Sequence, residues 1–289
     1  MKPYLTLRND LKSAIFDSIK NSKPWQRAHL GASGIGGECA LKLWLSFHWA
    51  LEPDFGGRIL RLFRRGHKEE DSFVTDLREA GYRVETHAED GKQYRFSELN
   101  GHFGGSIDSI ILIGDEWYLG EFKTYNKARF SKLTKSVAGV RTTDPVYYIQ
   151  AQTYMGLSGL HKLLFFAVCK DNDDLHVEEI LFDEEVFRET MDKARHIIFE
   201  SKAPEPISRN PSWYECKWCD FYDLCHKKDF SKVEQNCRTC VYGRPVEREE
   251  KDGQWVCGKH DSALGETRSF EEQIEGCKDH THLLPIVMP

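Results

Sequence analysis

No stretch of this sequence stays apolar long enough to cross a membrane. The longest strongly apolar run, Leu163 to Cys169 (LLFFAVC), falls far short of the roughly 20 residues a spanning helix needs. The start, MKPYLTLRND, holds no apolar signal core, so an intracellular, cytoplasmic chain with no membrane partner is expected. Basic charge is not in excess: 46 acidic residues stand against 40 basic ones, a net charge of −6, which excludes a uniformly basic nucleic-acid coat. Internal repeats and low-complexity tracts are missing. So is a GxxxxGK[ST] phosphate loop, and with it any built-in motor for tracking along a polymer.

What is present is a core and a surplus of thiols. The chain has 289 residues, 40% of them hydrophobic and 30% charged, enough for one large domain with a small appendage. Nine cysteines are many for a reducing compartment, where clustered CxxC pairs read as metal sites sooner than as disulfides.

The spacing of Leu11, Ile15 and Ile19 predicts a helix over residues 1–30. After a Gly-rich turn from Gly31, a second helix carries Cys39, Leu43 and Phe47. A third spans about Gly57 to Ala80, its stripe Leu60, Phe63, His67, Glu70, Val74 and Leu77 stepping by three and four. The period then changes to that of strands in YRVETHA, FGGSIDSIILIG, EWYLGEFKT and HKLLFFAVC, with Gly114–Asp115 as a hairpin turn. Helices return at 144–160 and at 184–200, where Val186, Met191, Ala194 and Ile198 face inward. From Pro204 regular periodicity fades. The order implies an α/β fold with a central mixed sheet flanked by helices. We divide the chain into a main domain over residues 1–230 and a Cys-rich module over residues 231–289.

Chemistry concentrates in GGSIDSIILIGDEWYLGEFKTYN, residues 104–126. Asp108 falls on one strand of the hairpin, Glu121 and Lys123 on the next and on a common face. Two carboxylates brought together across adjacent strands make a hard oxygen site for Mg²⁺ or Mn²⁺. A lysine beside them can orient or deprotonate water and neutralise charge on a phosphate. Between Phe122 and Thr143 there is no acidic residue, while Lys123, Lys127, Arg129, Lys132, Lys135 and Arg141 are present, with Tyr125 and Phe130 interleaved as stacking groups. Arg58, Arg61, Arg64 and Arg65 form a second basic patch. Two such patches in an acidic protein point to phosphate contact.

A helix carrying a histidine (His67 in RRGHKEED), then an aspartate, then ExK on a strand, then QxxxY on a helix (YYIQAQTYM) resembles the RecB-like branch of the PD-(D/E)XK nucleases over residues 31–230. The resemblance implies a restriction-endonuclease-like core. His67, Asp108, Glu121 and the backbone carbonyl of Phe122 would hold the metal, with Lys123 as catalytic lysine and Gln150 and Tyr154 as positioning residues. Glu70, one turn beyond His67, is a further candidate. The implied activity is metal-dependent phosphodiester hydrolysis by a deoxyribonuclease, in its favoured form an exonuclease processing DNA ends in recombination or repair. DNA is the implied partner, with a helicase or recombination protein beside it, and the size and cysteine-rich tail are similar to bacterial or phage-encoded enzymes. Two rivals remain: a non-catalytic nucleic-acid-binding module, and an endonuclease subunit active only in a complex.

Cys216, Cys219 and Cys225 in YECKWCDFYDLCH supply three of the four thiolates a tetrahedral site needs. A subgroup of the same superfamily, including the CRISPR adaptation nucleases and the AddB-type domains, has one cysteine before the GxxH helix and three after the QxxxY helix, holding a [4Fe–4S] cluster. By that resemblance Cys39 is the fourth ligand. A Cys₃His zinc site using His226 and plain buried cysteines are the alternatives. In the tail, Cys237, Cys240, Cys257 and Cys277 can close a zinc site, with His260, His280 and His282 as rival ligands. Trp255, Phe270, Ile274 and Leu283 give the tail something to pack. Cys169 is expected in the core.

Overall fold

The computed structural model describes residues 3–20, 26–248, 253–259 and 265–288. The chain opens with α1 (Pro3–Lys20), followed by β1 (Leu30–Gly31), α2 (Ala40–Phe47) and α3 (Gly57–Glu79). Five strands follow: β2 (Arg83–Glu85), β3 (Arg95–Glu98), β4 (Phe103–Ser106), β5 (Ser109–Ile113) and β6 (Glu116–Tyr125). Helices α4 (Lys127–Thr134), α5 (Gly139–Thr143) and α6 (Pro145–Ser158) lead to β7 (Lys162–Cys169), β8 (Leu175–Leu181) and α7 (Glu184–Phe199). Short elements complete it: α8 (Tyr222–His226), β9 (Gly243–Pro245), β10 (Trp255–Cys257), β11 (Glu266–Arg268), α9 (Phe270–Glu275) and α10 (Leu284–Val287).

The fold is mixed α/β. A five-stranded sheet runs in the order β2-β5-β6-β7-β8. Only β6 and β7 are parallel in it, and a parallel pair needs a crossover, which α4 to α6 provide. Side chains alternate along β6, so the sheet buries two faces. On one, Phe122 stacks flat on Phe73 of α3, ring centroids 5.0 Å apart, beside Phe166 and Val168. On the other, Leu119, Tyr125 and Phe165 meet α2, α6 and α7 through Trp44, Leu45, Ala151, Met155, Ala194 and Ile197.

Local chemistry sets the ends of the elements that frame the site. Pro145 starts α6, and Gly159 closes it in the left-handed region (φ 72°), which glycine adopts without steric cost. Asp183 caps α7 by accepting from the Val186 N–H, with Glu184 and Glu185 in the first turn, where the helix dipole favours acids.

The strand read as FGGSIDSIILIG divides at Ile107–Asp108. Its first half, β4, pairs with β1 and β3 in a separate three-stranded sheet; its second half, β5, joins the central one. Strands β3 and β8 were not anticipated. Helix α1 spans Pro3–Lys20, shorter than the 1–30 expected, and its Leu11 and Ile15 are 58% and 49% exposed. In α3 Gly57 and Phe73 are buried and Val74 and Leu77 of the expected stripe pack beside Phe73, while Phe63 is exposed.

The tail is anchored by a buried arginine. Arg238, 0% exposed, donates to the carbonyls of Ala28 (2.8 Å) and Phe47 (3.1 Å) and to Gln273 Oε1 (3.0 Å). Its guanidinium lies 3.6 Å from the ring centre of Trp49 and 4.7 Å from that of Trp255. Asn236 Nδ2 donates to the Trp49 carbonyl at 2.9 Å. Among the described residues no helix is long and apolar enough to cross a membrane.

Candidate active site

The β5–β6 hairpin sets Ser109 opposite Gly120, so Asp108 and Glu121 face each other where the hairpin opens. A side chain at Gly120 would press its Cβ to 2.2 Å from Ser109 Oγ, and the missing Cβ keeps the fork tight. Asp108 Oδ2 accepts from the Phe122 N–H at 2.9 Å. Glu121 is 1% exposed and takes hydrogen bonds from the Lys123 ammonium and, at 2.9 Å, from Gln150 Nε2 on α6. Gln150 Oε1 is buried without a protein partner. Tyr154, one turn along α6, reaches toward β4: a Cβ on Gly105 would lie 2.8 Å from its hydroxyl. The Lys123 ammonium sits 4.7 Å above the ring of Tyr147, a residue the sequence pattern did not single out.

The carboxylates are crowded, and their protons show it. Burial, then the charge of Asp108, pushes Glu121 up to about 7. Burial raises Asp108 too, against the pull of Lys123, the Phe122 N–H and His67. Glu70 on α3 is raised by burial and by Asp108, with His67 and Lys123 opposing. Glu70 and His67 are therefore within electrostatic reach of the fork, His67 from an exposed position at its mouth. Burial works against the Lys123 ammonium, yet Glu121 and Asp108 outweigh it and hold its pKa above the ordinary value. Three carboxylates to one buried lysine leave a surplus of negative charge that a divalent cation would offset.

The basic segment is only partly a surface. Tyr125 is 1% and Phe130 6% exposed, so neither can stack on a base; both are core residues. Arg129 is committed to Asp144 and lies over the rings of Tyr125 and Tyr147, while Tyr125 donates its hydroxyl to Asp144 at 2.7 Å. Lys127, Lys132, Lys135 and Arg141 remain exposed, as do Arg58, Arg61 and Arg64 on α3.

Cys39, Cys216, Cys219 and Cys225 converge on one small cavity, with Leu41, Leu45, Phe221 and His226 in its wall. Burial raises the Cys216, Cys219 and Cys225 thiols, and nearby Cys39 raises each further. His226 Nε2 is buried there without a protein partner, so the histidine alternative stays in the same pocket. Lys193 of α7, unforeseen, donates to the carbonyls of Ile35 (2.8 Å) and Gly37 (2.7 Å) and so fixes the turn that presents Cys39. Cys237, Cys240, Cys257 and Cys277 line a second cavity together with His280. His282 pairs by its backbone with Cys240, and His260 lies outside the described residues. As they stand, neither quartet nor the carboxylate fork closes three or more ligands around one point among the described residues. Cys169 is buried in the core, as expected.

No protein-family model matches the chain, and no curated protein matches it. Among solved structures, the protein SSO0001 overlaps 79% of this chain and 98% of its own at 15% identity and a TM-score of 0.44. An alkaline exonuclease from Laribacter hongkongensis, LHK-Exo, overlaps 64% of this chain and 89% of its own at 17% identity, with a TM-score of 0.43. Its complex with dAMP gives 0.44 over the same shares.

Proposed function

We propose that this protein is a metal-dependent deoxyribonuclease that hydrolyses phosphodiester bonds at the β5–β6 fork, acting as an exonuclease on DNA ends. One observation carries the reading: Asp108, Glu121 and Lys123 meet at the mouth of the hairpin, with Gln150 fixing Glu121 from the crossover helix. Asp108, Glu121, the carbonyl of Phe122 and His67 would hold Mg²⁺ or Mn²⁺, and Glu70 is placed to assist. The donor set is mostly hard oxygen, which suits those ions. When bound, the cation would supply positive charge to the non-bridging oxygens as they gain negative charge in the transition state.

The chain's own groups do the rest. Lys123, held between Glu121 and the Tyr147 ring, orients the attacking water and neutralises the scissile phosphate. Gln150 keeps Glu121 from swinging onto the lysine alone, and Tyr154 locks α6 against β4. Exposed Lys127, Lys132, Lys135, Arg58, Arg61 and Arg64 contact the DNA backbone without regard to sequence. Cys39, Cys216, Cys219 and Cys225 hold a [4Fe–4S] cluster as a clasp between residues 216–225 and the start of α2. Soft thiols gathered in an apolar pocket fit such a group.

Labelled linear and circular DNA incubated with Mg²⁺ or Mn²⁺ tests this. Loss of end-labelled linear substrate with sparing of the circle is expected, abolished by Glu121→Ala and Lys123→Ala. Cleavage that survives either substitution sinks the assignment.

A further inference from the structure

We propose that Cys237, Cys240, Cys257 and Cys277 form a tetrathiolate zinc site whose closure seats Arg238 in the protein core. The proposal is independent of the hydrolytic reading, since none of these residues approaches the fork. The four cysteines come from three separate pieces of chain and yet line one cavity of about 300 Å³. Cys237 and Cys240 bracket a single 3-10 turn, Cys257 ends β10, and Cys277 follows the residue that closes α9.

Each piece is held in place by a close approach. A Cβ on Gly243 would fall 1.8 Å from the Cys237 carbonyl oxygen, so β9 runs directly against the turn. Gly276, at φ 62°, would place its Cβ 2.6 Å from the Gln235 carbonyl oxygen, and this tight turn directs Cys277 back toward Cys237. Cys257 is paired in register with Gly243 on one side and Glu266 on the other. These strands are three residues long, too short to stand as a sheet without a further tie.

Zn²⁺ replaces four thiol protons, which leave to solvent, and the centre so formed carries a net charge of about −2. Arg268, which hydrogen-bonds Cys257, and Lys259 line the same cavity together with Glu272, Glu275 and Asp279, Arg268 ion-paired with Glu272 and Lys259 with Asp279. Outer partners of this kind orient and tune thiolate ligands. Without metal the thiols are poorly served: Cys237 finds only the Glu272 carbonyl, at 3.5 Å. His280 shares the cavity but is engaged with Thr239 Oγ1 at 3.1 Å, leaving the four sulfurs as the ligand set.

The function of the site follows from what lies between its first two ligands. Arg238 is held by Cys237 on one side and, beyond Thr239, by Cys240 on the other, and it enters the cage of Phe47, Trp49 and Trp255. Drawing the sulfurs together drives the guanidinium into that cage.

Metal analysis of the full chain, purified without oxygen, is expected to give one zinc per chain in addition to any iron. In Cys257→Ser and in Cys277→Ser zinc should fall to below about a tenth with iron unchanged. Titrating the metal-stripped wild-type chain with Co²⁺ alone guards against variants that fail to fold. Visible ligand-field bands of tetrahedral sulfur sites should saturate at about two equivalents, one for each cysteine quartet, and a shift in tryptophan emission from Trp49 and Trp255 should accompany one of them. Absence of zinc, zinc retained in both serine variants, iron at these four cysteines, or cobalt bands without sulfur character would each overturn the proposal.

Discussion

Gln150 spends one nitrogen on Glu121 and leaves its oxygen buried and unmatched. Its value is in where it holds the carboxylate, so Gln150→Ala should cut cleavage by about 10²-fold with little change in melting temperature, checked by single-turnover kinetics beside thermal unfolding. Arg238 is the opposite case: it touches no substrate group, and its substitution should unfold the chain. Arg238→Ala would forfeit the stacking on Trp49 and orphan two buried carbonyls, a loss of about 3–5 kcal/mol in denaturant unfolding. Arg238→Lys should not rescue it, because an ammonium cannot span the carbonyls of Ala28 and Phe47 and the Gln273 oxygen in one plane.

At the scale of elements, α2 carries a titration that the fold holds off. His48 is buried against Trp44 and its carbonyl and is held down to about 3, chiefly by burial. His102, in the turn before β4, is held down to about 4 by burial. Both are neutral in the native state while the unfolded chain takes protons below about 6.5. Stability from this source is complete above about pH 6.5 and is lost as pH falls toward 4 and then 3. By pH 5 the loss should amount to on the order of 2 kcal/mol for each histidine, read from urea unfolding at a series of pH values. Glycine matters where strands meet: a Cβ on Gly104 would lie 2.3 Å from the Phe96 carbonyl oxygen. Gly104→Ala should therefore cost about 1–3 kcal/mol by forcing β3 away from β4.

Much of the hairpin, α3 and α6 could be read from spacing, because ExK on a strand and QxxxY on a helix rest on fixed periods of 2 and 3.6. The division of residues 103–113 between two sheets could not, since a strand's partners are set by tertiary pairing that leaves no local mark. Strand β8 was missed for a related reason. Its buried Ile180 and exposed Leu175, Val177 and Leu181 reverse the usual pairing of apolar with inside. Tyr125 and Phe130 looked like stacking groups because a basic neighbourhood resembles a binding surface, and Asp144, which neutralises Arg129, lies beyond the acid-free run that suggested it.

The whole molecule is tied by contacts between distant parts of the chain. Chelators should separate the two proposed thiol centres from the proposed metal fork: loss of Mg²⁺ or Mn²⁺ should stop cleavage reversibly and leave the melting temperature within a few degrees. Stripping the cysteine-bound metals should lower it irreversibly, as a calorimetric scan would show. Cys39→Ser should damage folding as much as Cys216→Ser, since both face the same cavity.

The hydrogen bond from Arg238 to Ala28 joins residues 210 positions apart. Seen from the ribosome, the segment from Ala28 to Trp49 cannot finish its packing until Arg238 has been made. Contacts of such long sequence separation are closed late and slowly. A stalled chain ending before Arg238 should therefore remain open to protease in the segment around Trp49, and become resistant only once synthesis has passed Trp255.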